Sequence, residues 1–256
     1  MKMERVEQTL ERIRIEAEQA PGGVLAFDGD GTLWSGDVGD DLFLALLEHG
    51  GIRPEAFQAL ERLAVSHGFA PGLPARELAH QLFAAFEAGR IPEKDIYEMV
   101  AWLFAGWRVD AVRDFASDVV ARREVKQRLH PETRRVVEWA QRHGIGCYVV
   151  SASPLAVVEA AVLAVGMDPA NVLACTPRTE DGTVLPSIVE PIPYAAGKVR
   201  CLRSRTDRPL YAAFGDNVFD LELLAASRVP VAIRPKPRLR ARAAELPSLV
   251  QLHPED

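Results

Sequence analysis

The sequence has few cysteines and no long apolar run. Its three cysteines, Cys147, Cys175 and Cys201, are an odd number at spacings that match neither a zinc site nor a disulfide framework. Cys147 and Cys175 lie in apolar, strand-like segments, so we expect buried, reduced thiols and a reducing compartment. No segment reaches membrane-spanning length, and residues 1–20 lack the apolar stretch of a signal peptide. We therefore expect a cytoplasmic protein without a membrane partner.

The sequence also lacks an excess of positive charge. Its 30 Lys and Arg residues stand against 36 Asp and Glu residues, which gives a formal net charge of -6. A surface that binds nucleic acid needs a clustered basic footprint, so nucleic acid is not an expected partner. One short basic run is present, formed by Arg234, Lys236, Arg238, Arg240 and Arg242. We interpret this run as a solvated helix face without a functional role.

Short apolar runs alternate with helical patterns along much of the chain. The runs lie at residues 24–27, 145–150, 172–175, 210–214 and 229–233. The first run stops at Asp28, as a buried parallel strand would, and amphipathic spacing over residues 6–20 predicts a helix before it. The alternation predicts an α/β fold with a Rossmann-like parallel sheet and helices on both faces. In such sheets, ligands bind beyond the carboxyl ends of the strands.

Residues 37–129 interrupt this alternation. Helices are predicted there over residues 40–49, 54–66, 74–88, 92–104 and 109–129. We therefore predict an inserted all-helical cap domain at residues 37–129 and a Rossmann-like catalytic core made of residues 1–36 and 130–256. Farther along, the Asp181-Gly182 pair predicts a small hairpin on the edge of the sheet.

The most informative segment follows the first strand and runs Phe27-Asp28-Gly29-Asp30-Gly31-Thr32-Leu33-Trp34. Carboxylates at the end of a buried strand are costly unless a cation compensates them. A divalent ion such as Mg²⁺ accepts carboxylate oxygens and would also neutralise an incoming phosphate. Taken alone, the segment could equally be a polar turn with helix-capping carboxylates. A calcium-binding helix-loop-helix site is excluded, because its sixth and twelfth positions would be Leu33 and Gly39.

Two further predicted strands end in polar residues. The second strand is followed by Ser151-Ala152-Ser153-Pro154, where we predict Ser153 as the N-cap of a helix and Pro154 as its first residue. Such a segment offers a hydroxyl and free amides to a phosphate. The fourth run is followed by Gly215-Asp216-Asn217-Val218-Phe219-Asp220, which supplies another pair of acids. Either segment alone could be a capped turn, but three such strand ends together are hard to explain as independent turns.

The order and spacing of these segments resemble the haloacid dehalogenase superfamily. The resemblance covers about residues 22–235. Its motif residues are Asp28, Asp30, Thr32, Ser151, Lys198, Asp216 and Asp220. A helical insert between the first two motifs and the Ser-Ala-Ser segment are similar to the phosphoserine phosphatase-like branch. One departure is Phe219, which stands where the family often has asparagine.

The resemblance implies a magnesium-dependent phosphatase that hydrolyses a small phosphomonoester. Asp28 would attack phosphorus and form a phosphoaspartyl intermediate, and Asp30 would act as general acid and then as general base. The implied ligands of Mg²⁺ are Asp28, the backbone carbonyl of Asp30, and Asp216. The implied phosphate-binding residues are Ser151, Ala152 and Lys198, with Thr32 and Asp220 in supporting roles.

The alternative functions are a dehalogenase, a phosphomutase and a noncatalytic binding protein. A dehalogenase of the same superfamily does not need an acid for its leaving group, so the presence of Asp30 argues against it. A phosphomutase would keep Asp30 and stays open as an alternative. A noncatalytic phosphate-ligand binding protein is disfavoured, because every catalytic position holds the residue that catalysis requires. The expected partner is a small phosphorylated metabolite, and the sequence predicts no oligomeric state.

The substrate is only partly defined by the sequence. In phosphoserine phosphatases an acid nine positions after the nucleophile helps to bind the amino group, and Asp37 occupies that position here. No arginine of the insert has a recognisable carboxylate-binding context. Trp34 lies close to the nucleophile loop, and aromatic faces beside carboxylates can hold an ammonium group. We therefore predict Trp34 and Asp37 as specificity residues for an amino-alcohol ester such as phosphoethanolamine or phosphocholine.

Overall fold

A computed structural model describes residues 1–255 and places nine strands among them. The strands are β1 (Lys2–Glu4), β2 (Val24–Phe27), β3 (Gly146–Pro154), β4 (Val172–Cys175), β5 (Pro177–Glu180), β6 (Thr183–Ile188), β7 (Leu210–Gly215), β8 (Val229–Ala232) and β9 (Val250–Leu252). Seven of these form one sheet in the order β1-β9-β8-β7-β2-β3-β4, in which all neighbouring strands are parallel. β2 lies inside the sheet and its four residues are fully buried, as its unbroken apolar sequence requires.

Helices connect these strands and cover the sheet. Within residues 1–255 they are α1 (Val6–Gln19), α2 (Val38–His49), α3 (Pro54–Ser66), α4 (Ala75–Glu87), α5 (Glu93–Trp102), α6 (Val109–Arg122), α7 (Pro131–Arg142), α8 (Leu155–Ala164), α9 (Ala196–Arg205), α10 (Leu221–Ala225) and α11 (Pro237–Ala241). No described helix combines the length and the apolar character that crossing a bilayer requires. The predicted fold class is confirmed.

The five helices α2–α6 form a helical insert between β2 and β3, a segment that the structure describes in full and that contains no strand. α5 packs against β3, and α6 and α2 pack against α8, so the insert lies against the sheet side that carries β3. The predicted last helix of the insert ends earlier than expected, at Arg122, and a short 3-10 helix follows at Val125–Arg128. The division into a cap of residues 37–129 and a core of residues 1–36 and 130–256 stays a prediction.

Arg128 joins the two segments through which the chain enters and leaves the helical insert. Its carbonyl accepts a hydrogen bond from Ser35 N at 3.0 Å, and its Nε donates to Ser35 O at 2.7 Å. Its Nη1 also lies 2.6 Å from Asp41 Oδ2 at the start of α2. These contacts fix the start of the insert beside the loop that follows β2.

The strands differ from the sequence-based predictions in two respects. The hairpin of β5 and β6 forms a separate two-stranded sheet and packs against α5 and α3, so it does not extend the main sheet. It is held there by backbone hydrogen bonds between Val184 and the loop before α6, including Gly106 N to Val184 O at 2.9 Å. The edge strand β1 and its neighbour β9 were not predicted, because three residues each give too short a pattern.

Candidate active site

The carboxyl ends of three neighbouring strands carry the polar residues singled out in the sequence. β7, β2 and β3 are adjacent and parallel, so Asp216, Asp28 and Ser151 come together at one edge of the sheet. The chain continues from β2 to β3 on one side while β7 lies on the other, so strand order reverses here. A cavity of about 50 Å³ opens at this point. Its lining includes the predicted residues Asp28, Asp30, Asp37, Ser151, Ala152, Lys198, Asp216 and Asp220.

Asp28 is buried at the base of the cavity. Its Oδ1 accepts a hydrogen bond from Lys198 Nζ at 2.6 Å, and its Oδ2 accepts one from Thr32 Oγ1 at 3.3 Å. Its backbone N donates to Phe214 O at 2.9 Å, which fixes the residue against β7. Burial raises the pKa of Asp28 above the ordinary carboxyl value, and the adjacent Lys198 opposes this shift. A further cation beside Asp28 would favour the ionised form.

Lys198 lies in the first turn of α9 and is 3% exposed. Its Nζ is 2.5 Å from Asp220 Oδ1 as well as 2.6 Å from Asp28 Oδ1. Burial lowers the pKa of Lys198, but Asp220 and Asp28 more than offset burial, so the net shift is upward and the amine stays charged. Asp220 Oδ2 also accepts hydrogen bonds from the backbone N of Asp216 and of Asn217. Asp220 therefore orients both Lys198 and the loop after β7.

Asp216 has an unsatisfied carboxylate oxygen. It is 2% exposed, and its Oδ1 is the one buried side-chain oxygen or nitrogen without a hydrogen-bond partner among residues 1–255. One oxygen each from Asp28, Asp216 and Asp220 lies within 4.8 Å of the others. Burial, followed by the charges of Asp28 and Asp220, raises the pKa of Asp216 to about 7. Three buried carboxylates, one of which has an oxygen without a hydrogen-bond partner, fit a hard divalent cation such as Mg²⁺.

Gly31 permits the loop after β2 to approach Asp216. Its φ is +83°, and a Cβ built on it would lie 2.2 Å from Asp216 Oδ2. Any other residue would be strained at this φ and would displace the carboxylate. The second glycine of the Asp-Gly-Asp-Gly segment is therefore required by the geometry of the site.

Three hydrogen-bond donors hold the carboxylate of Asp30. Its Oδ1 accepts hydrogen bonds from Trp34 Nε1 and Val38 N, both at 2.8 Å, and its Oδ2 accepts one from Ser153 Oγ at 2.6 Å. Burial, followed by the charge of Asp37, raises the pKa of Asp30 to about 7, although the three donors act in the opposite direction. The Asp30 side chain thus lies outside the three-carboxylate group, and a carboxyl with such a pKa suits proton transfer near neutrality.

The prediction of Ser153 as a helix N-cap was wrong. β3 continues through Pro154, which is the N-cap residue of α8, and no side chain caps this helix. Since Ser153 still belongs to the strand, its hydroxyl turns toward Asp30 and its backbone N donates to Ser151 Oγ at 3.1 Å. The Ser-Ala-Ser segment therefore contacts Asp30 as well as lining the cavity.

The predicted role of Trp34 in specificity needs correction. Trp34 is fully buried, and its indole N–H is used by Asp30, so its ring cannot meet a substrate in this cavity. Trp102 and Trp107 also lie in the hydrophobic core. Asp37 does line the cavity, where its Oδ1 accepts a hydrogen bond from Asp40 N at 3.0 Å and caps α2.

Comparison with known proteins identifies the family of this chain. The family model described as haloacid dehalogenase-like hydrolase matches residues 25–225, which include every motif above. The chain belongs to the haloacid dehalogenase-like hydrolase family. No curated protein matches it.

Solved structures show the same fold as this haloacid dehalogenase-like hydrolase. A Bordetella pertussis protein of unknown function is 21% identical with a TM-score of 0.69, and the match covers 89% of this chain and 97% of the other. A HAD family hydrolase from Salmonella enterica is 15% identical with a TM-score of 0.56, over 91% and 73% of the two chains. An apo phosphoserine phosphatase is 14% identical with a TM-score of 0.54, over 91% and 94%.

Six lining residues of this haloacid dehalogenase-like hydrolase were not singled out from the sequence as site residues. They are Tyr97 on α5, Ser153 in β3, Tyr194 before α9, Asn217 and Phe219 after β7, and Lys236 after β8. The rings of Tyr97 and Tyr194 are 5.9 Å apart between centroids, and those of Tyr194 and Phe219 are 4.5 Å apart. Lys236 was wrongly assigned to a solvated helix face, since its Nζ lies 2.9 Å from Asp216 Oδ2. Lys236 follows strand β8 at the edge of the sheet that holds the site, and this position could have indicated a role in the site.

Proposed function

We propose that the protein is a Mg²⁺-dependent phosphatase that hydrolyses a small phosphomonoester through a phosphoaspartyl intermediate on Asp28. The observation that carries this proposal is that the buried Asp28 carboxylate, which accepts a hydrogen bond from Lys198, lines one cavity with Asp216, whose buried Oδ1 has no partner. A nucleophile, a fixed cation and candidate metal ligands are thereby combined at one edge of the sheet.

Each residue has a distinct task in this mechanism. Lys198, held by Asp220, stabilises the negative charge of the transferring phosphoryl group next to Asp28. Ser151 and the backbone at Ala152 line the same cavity and donate to the phosphoryl oxygens. Asp30 first protonates the departing alkoxide and then accepts a proton from the water that cleaves the intermediate, for which a pKa of about 7 is suited.

The residues that would hold Mg²⁺ are Asp28, the backbone carbonyl of Asp30, and Asp216. When bound, the ion would supply positive charge that lowers the pKa values of these acids and neutralises the phosphate. Asp220 belongs to the same group of carboxylates but is engaged by Lys198, so its role is to position that lysine.

The proposed activity is tested with a panel of small phosphomonoesters in the presence of Mg²⁺ or of excess EDTA. We expect release of free phosphate that requires Mg²⁺. Free phosphate is the readout because a phosphomutase would pass the group to another hydroxyl instead. A protein that is folded but releases no phosphate from any ester would contradict the proposal and favour a binding protein.

Removal of a metal ligand should weaken metal binding and catalysis together. In Asp216→Ala we expect roughly a hundredfold loss of kcat/KM at low Mg²⁺, because a hard cation loses one of its carboxylate ligands. Partial recovery is expected at high Mg²⁺, and Ca²⁺ should inhibit because its coordination is larger and less regular. The exposed Asp207→Ala is the matched control. Equal Mg²⁺ dependence in both variants would contradict the assignment of Asp216.

The residues that line the cavity favour a substrate whose leaving group is positively charged. We therefore extend the proposal to an amino-alcohol ester. Tyr97, Tyr194 and Phe219 offer aromatic surface, and Asp37 offers a carboxylate on the same cavity. Burial and the nearby Asp40 raise the pKa of Asp37 to about 7, and a bound ammonium would favour its ionised form. Aromatic faces attract such a cation by about 0.5 to 2 kcal/mol.

The leaving-group proposal is tested by comparing phosphoethanolamine and phosphocholine with propyl phosphate, which has no ammonium group. In Asp37→Asn we expect the preference for the amino esters to fall about tenfold, the effect of one charge-assisted hydrogen bond of roughly 1.5 kcal/mol. Asp118→Asn is the control, since Asp118 is exposed on α6 and lies outside the cavity lining. If propyl phosphate is hydrolysed as well as the amino esters, the leaving-group proposal fails while the phosphatase assignment stands.

A further inference from the structure

Lys236 differs from the other basic residues of its run. Arg238 pairs with Glu93, and Arg242 pairs with Glu245 on the surface. Lys236 instead lines the cavity, with its Nζ 2.9 Å from Asp216 Oδ2. Its backbone N also donates to Asp216 O at 2.8 Å, so the two residues are joined by both main chain and side chain.

In the part of the chain that the structure describes, the ion pair of Asp216 is with Lys236. The second lysine of the cavity, Lys198, is engaged by Asp28 and Asp220. One oxygen of Asp216, Oδ2, contacts Lys236, while the other, Oδ1, is buried without a hydrogen-bond partner. A cation that binds this group meets a carboxylate that already has Lys236 as a partner.

The two ends of this ion pair differ in exposure. The Asp216 side chain is 3% exposed and the Lys236 side chain is 52% exposed. The half-exposed lysine can return to solvent, but the buried carboxylate then needs another cation, because an unpaired buried charge is costly. The buried carboxylate cannot move to a new partner in the same way. Lys236 is thus a removable partner of a fixed metal ligand.

We propose that Lys236 is a built-in counter-ion that holds Asp216 in the metal-free protein and competes with Mg²⁺ for this carboxylate. The inference rests on the proposed function. Without the metal, Lys236 limits the repulsion among Asp28, Asp216 and Asp220. With the metal, the Lys236 ammonium is released from Asp216, and its remaining positive charge opposes metal binding. The lysine sets the affinity for Mg²⁺ below the value that the carboxylates alone would give.

The test is isothermal titration of the metal-free protein with MgCl₂ in the absence of substrate. Lys236→Met removes the competing ammonium and keeps the aliphatic stem, so we expect a Kd for Mg²⁺ about fivefold lower than in wild type, as for one half-exposed ion pair. Arg242→Met removes the same charge from the same run at a surface ion pair, and its Kd should match wild type. Lys236→Arg keeps the charge and should stay near wild type.

Thermal unfolding supplies a second readout that does not depend on activity. In EDTA, Lys236→Met should unfold a few degrees below wild type, because Asp216 has lost its counter-ion inside a group of acids. In saturating MgCl₂ the two proteins should unfold at the same temperature. Arg242→Met should show no such dependence on the metal.

The outcomes separate this inference from the proposed function. A Kd for Mg²⁺ that is unchanged or higher in Lys236→Met would overturn the role of Lys236 while leaving a metal-dependent phosphatase. Absence of Mg²⁺ binding in all of these proteins would overturn both. Tighter binding in Lys236→Met with no change in Arg242→Met would support the competition.

Discussion

Replacing Asp28 by asparagine is expected to lower kcat by at least about 10⁴-fold, because an amide cannot attack phosphorus as the carboxylate does. The side chain keeps its size, and its Oδ1 can still accept the hydrogen bond from Lys198 that the structure shows at 2.6 Å. Folding should therefore be preserved. The measurement is phosphate release under saturating substrate and Mg²⁺, together with the unfolding temperature of the variant.

A matched control for this variant is Asp118→Asn on the exposed face of α6, which removes one carboxylate far from the site. Asp118→Asn should keep the wild-type rate. Substantial activity in a correctly folded Asp28→Asn protein would remove the proposed nucleophile and most of the mechanism.

Replacing Asp30 by asparagine should give a loss that depends on the leaving group. For an alkyl phosphate we expect a fall in kcat of about 10³-fold, because the alkoxide departs without a proton. For p-nitrophenyl phosphate, whose leaving group needs no protonation, the fall should be much smaller as long as formation of the intermediate limits the rate. The comparison uses initial burst and steady-state rates for both substrates in the same variant.

Ser153→Ala is the control for the position of Asp30. It removes the hydroxyl that donates to Asp30 Oδ2 and leaves the carboxyl itself in place. We expect a loss much smaller than that of Asp30→Asn. Equal losses of the burst rate on both substrates in Asp30→Asn would contradict the role of Asp30 as the acid.

The part of the fold that was predicted from the sequence depends on local patterns. β2 and β4 begin and end at the predicted residues, because four apolar residues between polar or glycine neighbours define a buried strand. The helix Pro54–Ser66 was also predicted with its bounds, since proline fixes its first turn. The motif acids lie at strand ends that parallel pairing brings together, so their proximity could be expected.

The remainder of the site depends on contacts between distant segments. Tyr97 comes to the cavity only because α5 packs against β3, and nothing in its local sequence indicates that position. Trp34 turns inward because Asp30 accepts its indole N–H. It therefore lacks the substrate contact that was expected from its place beside the motif. Lys236 pairs with Asp216 across β7 and β8, a contact that the periodicity of a basic run cannot reveal.

The most direct test of the central claim is chemical trapping of the proposed intermediate. The protein is mixed with substrate and Mg²⁺, quenched in acid during turnover, and reduced with borohydride, which converts an acyl phosphate of aspartate into homoserine. Peptide mass spectrometry should then find homoserine in place of Asp28, only when substrate and Mg²⁺ are both present. Reduction at another aspartate, or none at Asp28 in a protein that is releasing phosphate, would contradict the mechanism.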